Sequence, residues 1–346
     1  MIRHPRRIRL AHLPTPLEPL TRLSRELGGP EIWIKRDDMT GTLLSGNKVR
    51  KLEFALAEGV ARQAKVIITV GGIQSNHCRA TAFACARLGL ECHLILRGSQ
   101  PGPPDGNYLL DHLAGARFTH LPAEVYSTRR PEVVAELTEH YARQGKKAYY
   151  IPVGASNAIG AWGYVRAYEE LLVQCRKRGF VPDHVVSATG SGGTTAGLLA
   201  GATLPGHHRA RIYGVIVCDD IPTFERDIRA ILEEMARRWH LGLEPDQIPI
   251  QLLDGYIGEG YAVPYEAELE TIRLLARTEG HLLDPVYTGK AFYGLVEEIR
   301  KGRFRKTDKI VFVHTGGMFG VFPQRAAFGF PEAPLACDPQ QPEAKR

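Results

Sequence analysis

His184-Val185-Val186-Ser187-Ala188-Thr189-Gly190-Ser191-Gly192-Gly193-Thr194-Thr195-Ala196-Gly197-Leu198-Leu199-Ala200-Gly201-Ala202 sets a short apolar run, a glycine-rich turn and a small-residue helical stretch in direct succession. The run has the length of a buried strand, so the stretch reads as a strand, loop and helix unit of a parallel sheet. At the turn, N–H groups without intrahelical acceptors, side-chain hydroxyls and the positive end of the helix dipole all favour a phosphate. A dinucleotide reading fits less well. A GxGxxG pattern begun at Gly190 fails because Thr195 holds the third glycine position, although Asp219 and Asp220 after the next strand mimic a ribose-binding acid. No GxxxxGK[ST] occurs, which excludes a Walker-type site.

The same unit repeats outward from this stretch. Upstream, a β-branched strand over 65–70 ends in Gly71-Gly72 and leads into a helix over 75–88. A strand over 90–96, helices over 108–114 and 131–144, and a strand over 148–153 complete a βαβ series. Nearer the N-terminus, Pro14, Pro16 and Pro19 enforce extended backbone, and residues 31–35 alternate as a short strand. A long helix over 158–178 precedes the quoted stretch. After it come a strand over 211–217, helices over 222–239 and 266–279, and a strand over 309–314 ending in Thr315-Gly316-Gly317. The expected fold is α/β, with two lobes of mostly parallel, open twisted sheet, flanking helices and a site in the cleft. Residues 1–47 and 160–330 form the larger lobe, 48–159 a smaller inserted one, and the proline-rich 331–346 a tail.

Length and composition agree with two lobes: 346 residues with 44% hydrophobic content supply one large core or two ordinary ones. The net charge of +6 is spread along the chain and does not interleave with aromatics, which argues against nucleic acid and suits an anionic cofactor or substrate. Six cysteines without a CxxC pair imply a reducing, cytoplasmic compartment and no disulfide framework. Cys78, Cys85 and Cys92 run from a helix into a strand and so do not converge, and no metal site is expected. No apolar run reaches membrane-spanning length. The early arginines lack the apolar segment of a secretory signal.

A second stretch, Ser45-Gly46-Asn47-Lys48-Val49-Arg50-Lys51-Leu52-Glu53-Phe54, puts a lysine at a helix start. There the dipole favours the neutral amine and eases nucleophilic or Schiff-base chemistry. The bland alternative is a solvated basic face formed by Lys48, Arg50 and Lys51. Gly72-Ile73-Gln74-Ser75-Asn76-His77 is another anion-suited turn, whose neutral donors suit a carboxylate or an aromatic hydroxyl unless Ser75 or Asn76 merely caps a helix. His77 is either a general base or a half-buried hydrogen bonder. Tyr261 and Tyr287, in loops flanked by glycine and proline, offer phenolic acid/base groups or are ordinary half-buried tyrosines. Thr315, at a strand end, can share one hydrogen bond with a ring nitrogen or simply form a turn.

The order of these motifs is more telling than any one of them. Pro14-Thr15-Pro16-Leu17, Ile34-Lys35-Arg36-Asp37-Asp38, Gly46-Asn47-Lys48, Gly72 to His77, Gly190-Ser191-Gly192-Gly193-Thr194 and Asp284-Pro285-Val286-Tyr287-Thr288-Gly289-Lys290 resemble the motif series of pyridoxal-phosphate (PLP) enzymes of fold type II. More narrowly, the series over 8–325 is similar to the D-cysteine desulfhydrase and 1-aminocyclopropane-1-carboxylate (ACC) deaminase family. The resemblance implies pyridoxal 5'-phosphate held by Lys48, with Asn76 at its 3-hydroxyl and Thr189, Gly190, Ser191, Gly192, Gly193 and Thr194 around its phosphate. Thr315 is placed near its ring nitrogen. It assigns the substrate carboxylate to Ser75 with Gln74 and Asn76, and turns Tyr261, Tyr287 and Thr288 toward the substrate. It also implies a homodimer acting on a small amino acid.

Within that family, ACC deaminases carry a glutamate where this chain has Thr288, and they lack the threonine at 315. A hydroxyl holds a pyridinium less well than a carboxylate does, so the electron sink is weaker and β-elimination of a good leaving group is favoured. His77 also looks desulfhydrase-like. The expected reaction is elimination of sulfide from D-cysteine, giving pyruvate and ammonia, with Lys48 or Ser75 taking the Cα proton. Leu43-Leu44-Ser45-Gly46 and Met318-Phe319 depart from the family pattern in ways that reshape the pocket. L-cysteate sulfo-lyase and ACC deaminase are the alternatives. A nicotinamide-dependent oxidoreductase leaves Lys48 and Tyr287-Thr288-Gly289-Lys290 without roles.

Overall fold

The computed structural model describes residues 4–99 and 102–329. Its strands are β1 (Leu17–Pro19), β2 (Glu31–Lys35), β3 (Val66–Gly72), β4 (Glu91–Arg97), β5 (Arg117–Leu121), β6 (Ala148–Ile151), β7 (His184–Thr189), β8 (Arg211–Ile216), β9 (Gln251–Leu253) and β10 (Lys309–Val313). The helices are α1 (Thr21–Leu27), α2 (Asn47–Ala61), α3 (Asn76–Leu88), α4 (Gly106–Leu113), α5 (Tyr126–Arg143), α6 (Ala158–Lys177), α7 (Gly193–Thr203), α8 (Ile221–Trp239), α9 (Glu266–Glu279) and α10 (Thr288–Arg300).

The strands form two sheets, one of six in the order β1-β2-β10-β7-β8-β9 and one of four in the order β5-β4-β3-β6. Every pairing is parallel except β1 with β2. Parallel strands need crossovers, and the helices that supply them cover the sheets on both faces, which is why β3 and β7 are buried along almost their whole length. The four strands of the smaller sheet all lie between residues 66 and 151. One apolar core packs α2, α3, α6, α7 and α8 between the sheets. A second core fills the outer face of the six-stranded sheet under α9 and α10, and a third lies under α5.

Strand order locates the site. In the small sheet the chain runs outward from β3 to β5 and then returns to β6 on the other side of β3. In the large sheet β10 comes back to insert between β2 and β7. Ligands bind outside the carboxyl ends of strands at such reversals. The carboxyl ends of β3, β6, β7 and β10 open into Gly72–Asn76, residues 152–156, Gly190–Gly192 and Thr315, respectively.

Small residues hold these ends in fixed relation. A Cβ on Gly163 of α6 would stand 2.5 Å from the Arg50 carbonyl oxygen of α2, and one on Gly197 of α7 would stand 2.3 Å from the Ala161 oxygen of α6. The helix of Lys48 is therefore tied through α6 to the helix that follows the glycine turn. Beneath it lies a buried charge cluster. Arg50 donates to Asp37 Oδ1 at 2.7 Å and Oδ2 at 2.8 Å, and to Glu170 at 2.9 Å. Lys35 joins Glu170 at 2.5 Å, while Tyr164 and Thr15 donate to Asp37 at 2.7 and 2.8 Å.

Several elements differ from the sequence reading. α5 starts at Tyr126 rather than 131 and carries Pro131 in its second turn, where the proline forgoes one backbone hydrogen bond. β1, β5, β9, α1 and α10 were not anticipated. The tail at 331–346, with Cys337, lies outside the described residues.

Candidate active site

Asn47, Lys48, Asn76, Ala188, Gly190, Ser191, Thr194, Tyr287 and Thr315 line one cavity at these strand ends. A Cβ on Gly154 would stand 2.6 Å from Ser191 Oγ and 3.3 Å from Lys48 Nζ, so the amine and the loop hydroxyl flank the same glycine. The convergence that the sequence demanded, a lysine from one segment against the glycine turn of another, is present.

Lys48 is the second residue of α2, after Gly46, whose φ of 92° only glycine adopts freely. A Cβ there would also meet the Thr315 carbonyl at 2.7 Å. Burial brings the Lys48 amine down to about 8, while the Cys218 thiol and Asp284 pull the other way. Arg50 and Lys51 are buried, at 1% and 0% exposure, so the solvated basic face does not exist. Burial, and then the charge on Lys48, holds the Lys51 amine well below its ordinary value.

Lys51 is the informative residue that the motifs missed. It donates to Ser156 Oγ at 3.3 Å and meets no carboxylate among the described residues. Ser156 also bonds Ser191 Oγ at 2.8 Å and accepts from Gly193 N at 3.2 Å. Asn47 Nδ2 donates to Thr194 Oγ1 at 3.0 Å. A buried amine without a counter-ion, three hydroxyls, an amide and the first N–H groups of α7 make a donor-rich cradle; no Asp or Glu lines the Lys48 cavity itself, while Asp219, Asp227 and Glu234 line the adjoining cleft that Ser156, Gly190 and Ser191 also border. A dianionic phosphate fits that chemistry, and the glycines leave room for it: a Cβ on Gly193 would stand 2.6 Å from Ser156 Oγ. The spacing of Lys51 from Lys48, three residues along one helix face, was the available signal. Ser156 offered none.

The other predicted residues divide. Asn76 and Tyr287 reach the cavity, and Tyr261 reaches it through Tyr287, the two hydroxyls standing 2.5 Å apart. Burial pushes Tyr261 up to about 12, and burial with the Tyr261 neighbour pushes Tyr287 well up, so both are neutral acids near neutral pH. Ser75 caps α3 by accepting from Cys78 N at 3.2 Å.

Three placements correct the expectation. Gln74 is turned to α4, donating to Asp105 O at 2.9 Å and accepting from Asn107 N at 2.9 Å. The Thr189 hydroxyl bonds Thr195 Oγ1 at 2.7 Å inside the sheet. Thr288 is fully buried and donates to Asp284 Oδ1 at 2.6 Å, because it opens α10, where Asp284 gathers the exposed N–H groups. His77 donates to Thr69 Oγ1 at 2.8 Å, since that hydroxyl is itself given to Ile151 O, and burial with the Lys48 and Lys51 charges keeps its ring neutral. Phe319 stacks under Arg79 at 5.1 Å, and Met318 is half exposed, so neither shapes the cavity wall. Asp220 is spent capping α8, accepting from Thr223 N at 2.8 Å.

Residues 8–316 match the family model described as "Pyridoxal-phosphate dependent enzyme". The chain belongs to that family. The coenzyme is therefore pyridoxal phosphate, and the nicotinamide reading falls. The chain is 44% identical over 323 residues to the bifunctional D-cysteine desulfhydrase/1-aminocyclopropane-1-carboxylate deaminase, mitochondrial, of Arabidopsis thaliana, covering 90% of this chain and 78% of that protein. It is 41% identical to D-cysteine desulfhydrase of Klebsiella pneumoniae, over 91% of this chain and 95% of that one. Among solved structures, an ACC deaminase homologue superposes with a TM-score of 0.84 at 37% identity, covering 94% of this chain and 95% of that chain. A threonine deaminase from T.th., at 21% identity and a TM-score of 0.62 over 88% of this chain and 92% of that one, shares the fold. The family and its fold type II architecture thus agree with the motif series. Among the described residues no helix is long and apolar enough to cross a membrane, and no group of ligating side chains could hold a metal ion.

Proposed function

We propose that this enzyme removes the β-substituent of a small amino acid, with D-cysteine as substrate: D-cysteine and water give pyruvate, ammonia and hydrogen sulfide. The observation that carries the reading is Thr315. It lines the cavity, bringing a hydroxyl-bearing side chain where the alternative would need a carboxylate, and no Asp or Glu lines the cavity beside it. When bound, pyridoxal phosphate supplies a conjugated sink for the electron pair left at Cα. A hydroxyl partner supports a weaker sink than a carboxylate does, which suits departure of sulfide better than opening of a cyclopropane.

Lys48 would hold the coenzyme while Lys51, Ser156, Ser191, Thr194 and the N-terminus of α7 would hold its phosphate. Once the substrate's own amine has displaced it from the coenzyme, the freed Lys48 amine would take the Cα proton, or Ser75 would from the opposite face; burial lowers that amine to about 8, which raises the share present as free base. Ser75 and Asn76, at the N-terminus of α3, receive the substrate carboxylate. The Tyr261–Tyr287 pair supplies the proton that the departing sulfur takes. The names of the relatives support desulfhydration and equally keep ACC deamination as the second reading. Sulfite elimination from L-cysteate has no arginine in the cavity lining to favour it. We further propose a homodimer in a reducing cytoplasm, where the five described cysteines, all free, would persist.

Reconstituted protein should show an absorption band near the visible edge that borohydride or Lys48→Ala abolishes. Pyruvate and sulfide should then be assayed with D-cysteine, L-cysteine, L-cysteate, D-serine and ACC. Turnover of ACC alone would overturn the reading from Thr315.

A further inference from the structure

Asn107 lies on α4, outside every motif brought forward above, and is fully buried. Its neighbours leave its amide one orientation. Arg79 Nε donates to Asn107 Oδ1 at 3.1 Å, and a guanidinium has no acceptor to offer. On the other side, Nδ2 lies 3.0 Å from the Gln74 carbonyl oxygen, which can only accept. Either contact alone fixes the amide, and the two agree. The remaining N–H of Nδ2 goes to Asn76 Oδ1 at 3.0 Å. Asn76 lines the Lys48 cavity, and with its oxygen turned to Asn107 the opposite, N–H side of its amide is the one left to present there.

We propose that Asn107 is a positioning residue that sets the polarity of Asn76, so that the cavity shows a hydrogen-bond donor to the ring oxygen of the coenzyme. The proposal rests on the reading of this cavity as the pyridoxal-phosphate site. The relay runs one way because its first member is donor-only. Arg79 is itself immobilised: it donates to the Leu43 carbonyl, to Ser45 Oγ and Ser45 O at 3.2 Å each, and lies over the Phe319 ring. The titratable group facing it is Asp111, one turn beyond Asn107 on α4. Burial, against the Arg79 charge, holds that carboxyl well above its ordinary value, and neither of its oxygens has a hydrogen-bond partner. Asp111 therefore takes no N–H away from the relay. The backbone N–H of Asn107 also donates to Gln74 Oε1 at 2.9 Å, which locks α4 onto the turn that carries Asn76.

Polarity matters because an N–H facing an oxygen favours its anionic form, whereas a C=O disfavours it. Asn107→Asp is nearly isosteric, and Arg79 beside it holds the new carboxylate ionised and in place. That carboxylate cannot donate, so Asn76 turns its N–H toward it and its own oxygen toward the cavity. Asn107→Ala leaves Asn76 free to choose. The readouts on reconstituted protein are the pH midpoint of the near-visible band and the dissociation constant for pyridoxal phosphate. The midpoint should rise in the order parent, Asn107→Ala, Asn107→Asp, by about one unit for the last, a tenfold change in proton affinity. A packing role alone gives the reverse order, since alanine opens the larger gap, and that order overturns the proposal. In an Asn76→Ala background the Asn107→Asp shift should vanish. A shift that persists there is a plain charge effect and also overturns it. A parent protein that takes up no pyridoxal phosphate overturns the site reading with it. Normal uptake by the parent and an unchanged Asn107→Asp overturn this inference alone.

Discussion

Replacing Asp37 by asparagine should unseat the helix of Lys48 without touching the cavity. Asp37 is fully buried and receives Arg50 twice, Tyr164 and Thr15. Its cluster balances two carboxylates against the cations of Arg50 and Lys35, with Glu170 the most exposed member at 15%. Asparagine keeps the shape, removes one negative charge and turns an N–H toward donors. A unit charge about 4 Å away is worth about 4 kcal/mol at an effective dielectric constant near 20. Breaking a buried pair by deleting one partner costs about 3–5 kcal/mol. Against a typical total of about 5–15 kcal/mol, that is at least about a fifth of the stability and most of it in a marginal fold. The assay is urea unfolding followed by circular dichroism, with Asp38→Asn as the control. Asp38 pairs with Arg36 nearer the surface, both partners being 16–18% exposed, and its loss should cost about 1 kcal/mol. The deficit should also depend on pH. Burial pushes Asp37 and Glu170 up, but Arg50 and Lys35 more than reverse this, so both sit below the usual carboxylate range. Their stabilisation is complete above the unfolded values near 4 and is lost as pH falls through the folded ones. The gap between parent and Asp37→Asn should therefore narrow in acid. A loss under about 1 kcal/mol, or a gap that widens below pH 4, refutes the argument.

Four further outcomes follow from the same geometry. Apo-protein should capture pyridoxal phosphate faster as pH rises through about 8 and then level off, because burial lowers Lys48 to about 8; stopped-flow absorbance with a midpoint above 10 would contradict this. Gly193→Ala should weaken coenzyme binding by about tenfold or more, because its methyl would crowd Ser156 at 2.6 Å, and equilibrium dialysis giving wild-type affinity would show that the cradle yields. Tyr261→Phe should lower kcat by about a hundredfold with the coenzyme spectrum intact, whereas full turnover would remove the tyrosine pair from the proton path. Thr288→Glu should destabilise by several kcal/mol and gain no ACC turnover, because it would set a carboxylate against Asp284 in a fully buried place; a stable, ACC-active variant would show that position 288 can turn to the cavity.

Much of this was legible in advance, for reasons that can be assigned. A glycine-rich turn between an apolar strand and a helix has few uses, so Gly190 to Thr194 declared its place at the carboxyl end of β7. Lys48 declared itself by standing one residue inside a helix. Thr189, Gln74 and Thr288 were misplaced because a motif gives neighbourhood and not direction. Each belongs to the right turn, yet a nearer partner claims its side chain: Thr195, the α4 backbone and Asp284. Lys51 was read as a solvated charge, and Ser156 passed over, for the converse reason. Burial decides whether a lysine is a solvated charge or an anion ligand, and burial here comes from α6, more than a hundred residues away in sequence. β5 and α1 were missed because their residues are only half-buried or short, so their apolar periodicity is weak.

The distribution of charge around the cavity accounts for its chemistry better than any single residue does. Asp284 is the acid nearest the cavity in sequence, preceding Tyr287 by three residues, and its carboxylate is already spent. It accepts from the N–H groups of Val286, Tyr287 and Thr288 at 3.0, 3.0 and 2.9 Å and from the Thr288 hydroxyl. By doing so it fixes Tyr287 at the start of α10 and leaves the phenol, not a carboxylate, to face the cavity. Lys48 lines the same space and Lys51 stands one helical turn on, burial lowers both amines, and in the proposed assignment Lys48 would hold the coenzyme and Lys51 its phosphate. One end of the site is thus strongly anion-seeking, while the other offers only the hydroxyls of Thr315 and the tyrosines. Binding energy is concentrated on the phosphate, and the reacting end is left without a fixed negative charge. On the proposed assignment such a site would grip its coenzyme by the phosphate, polarise the ring only modestly, and so favour substrates whose bond at Cβ needs little help to break.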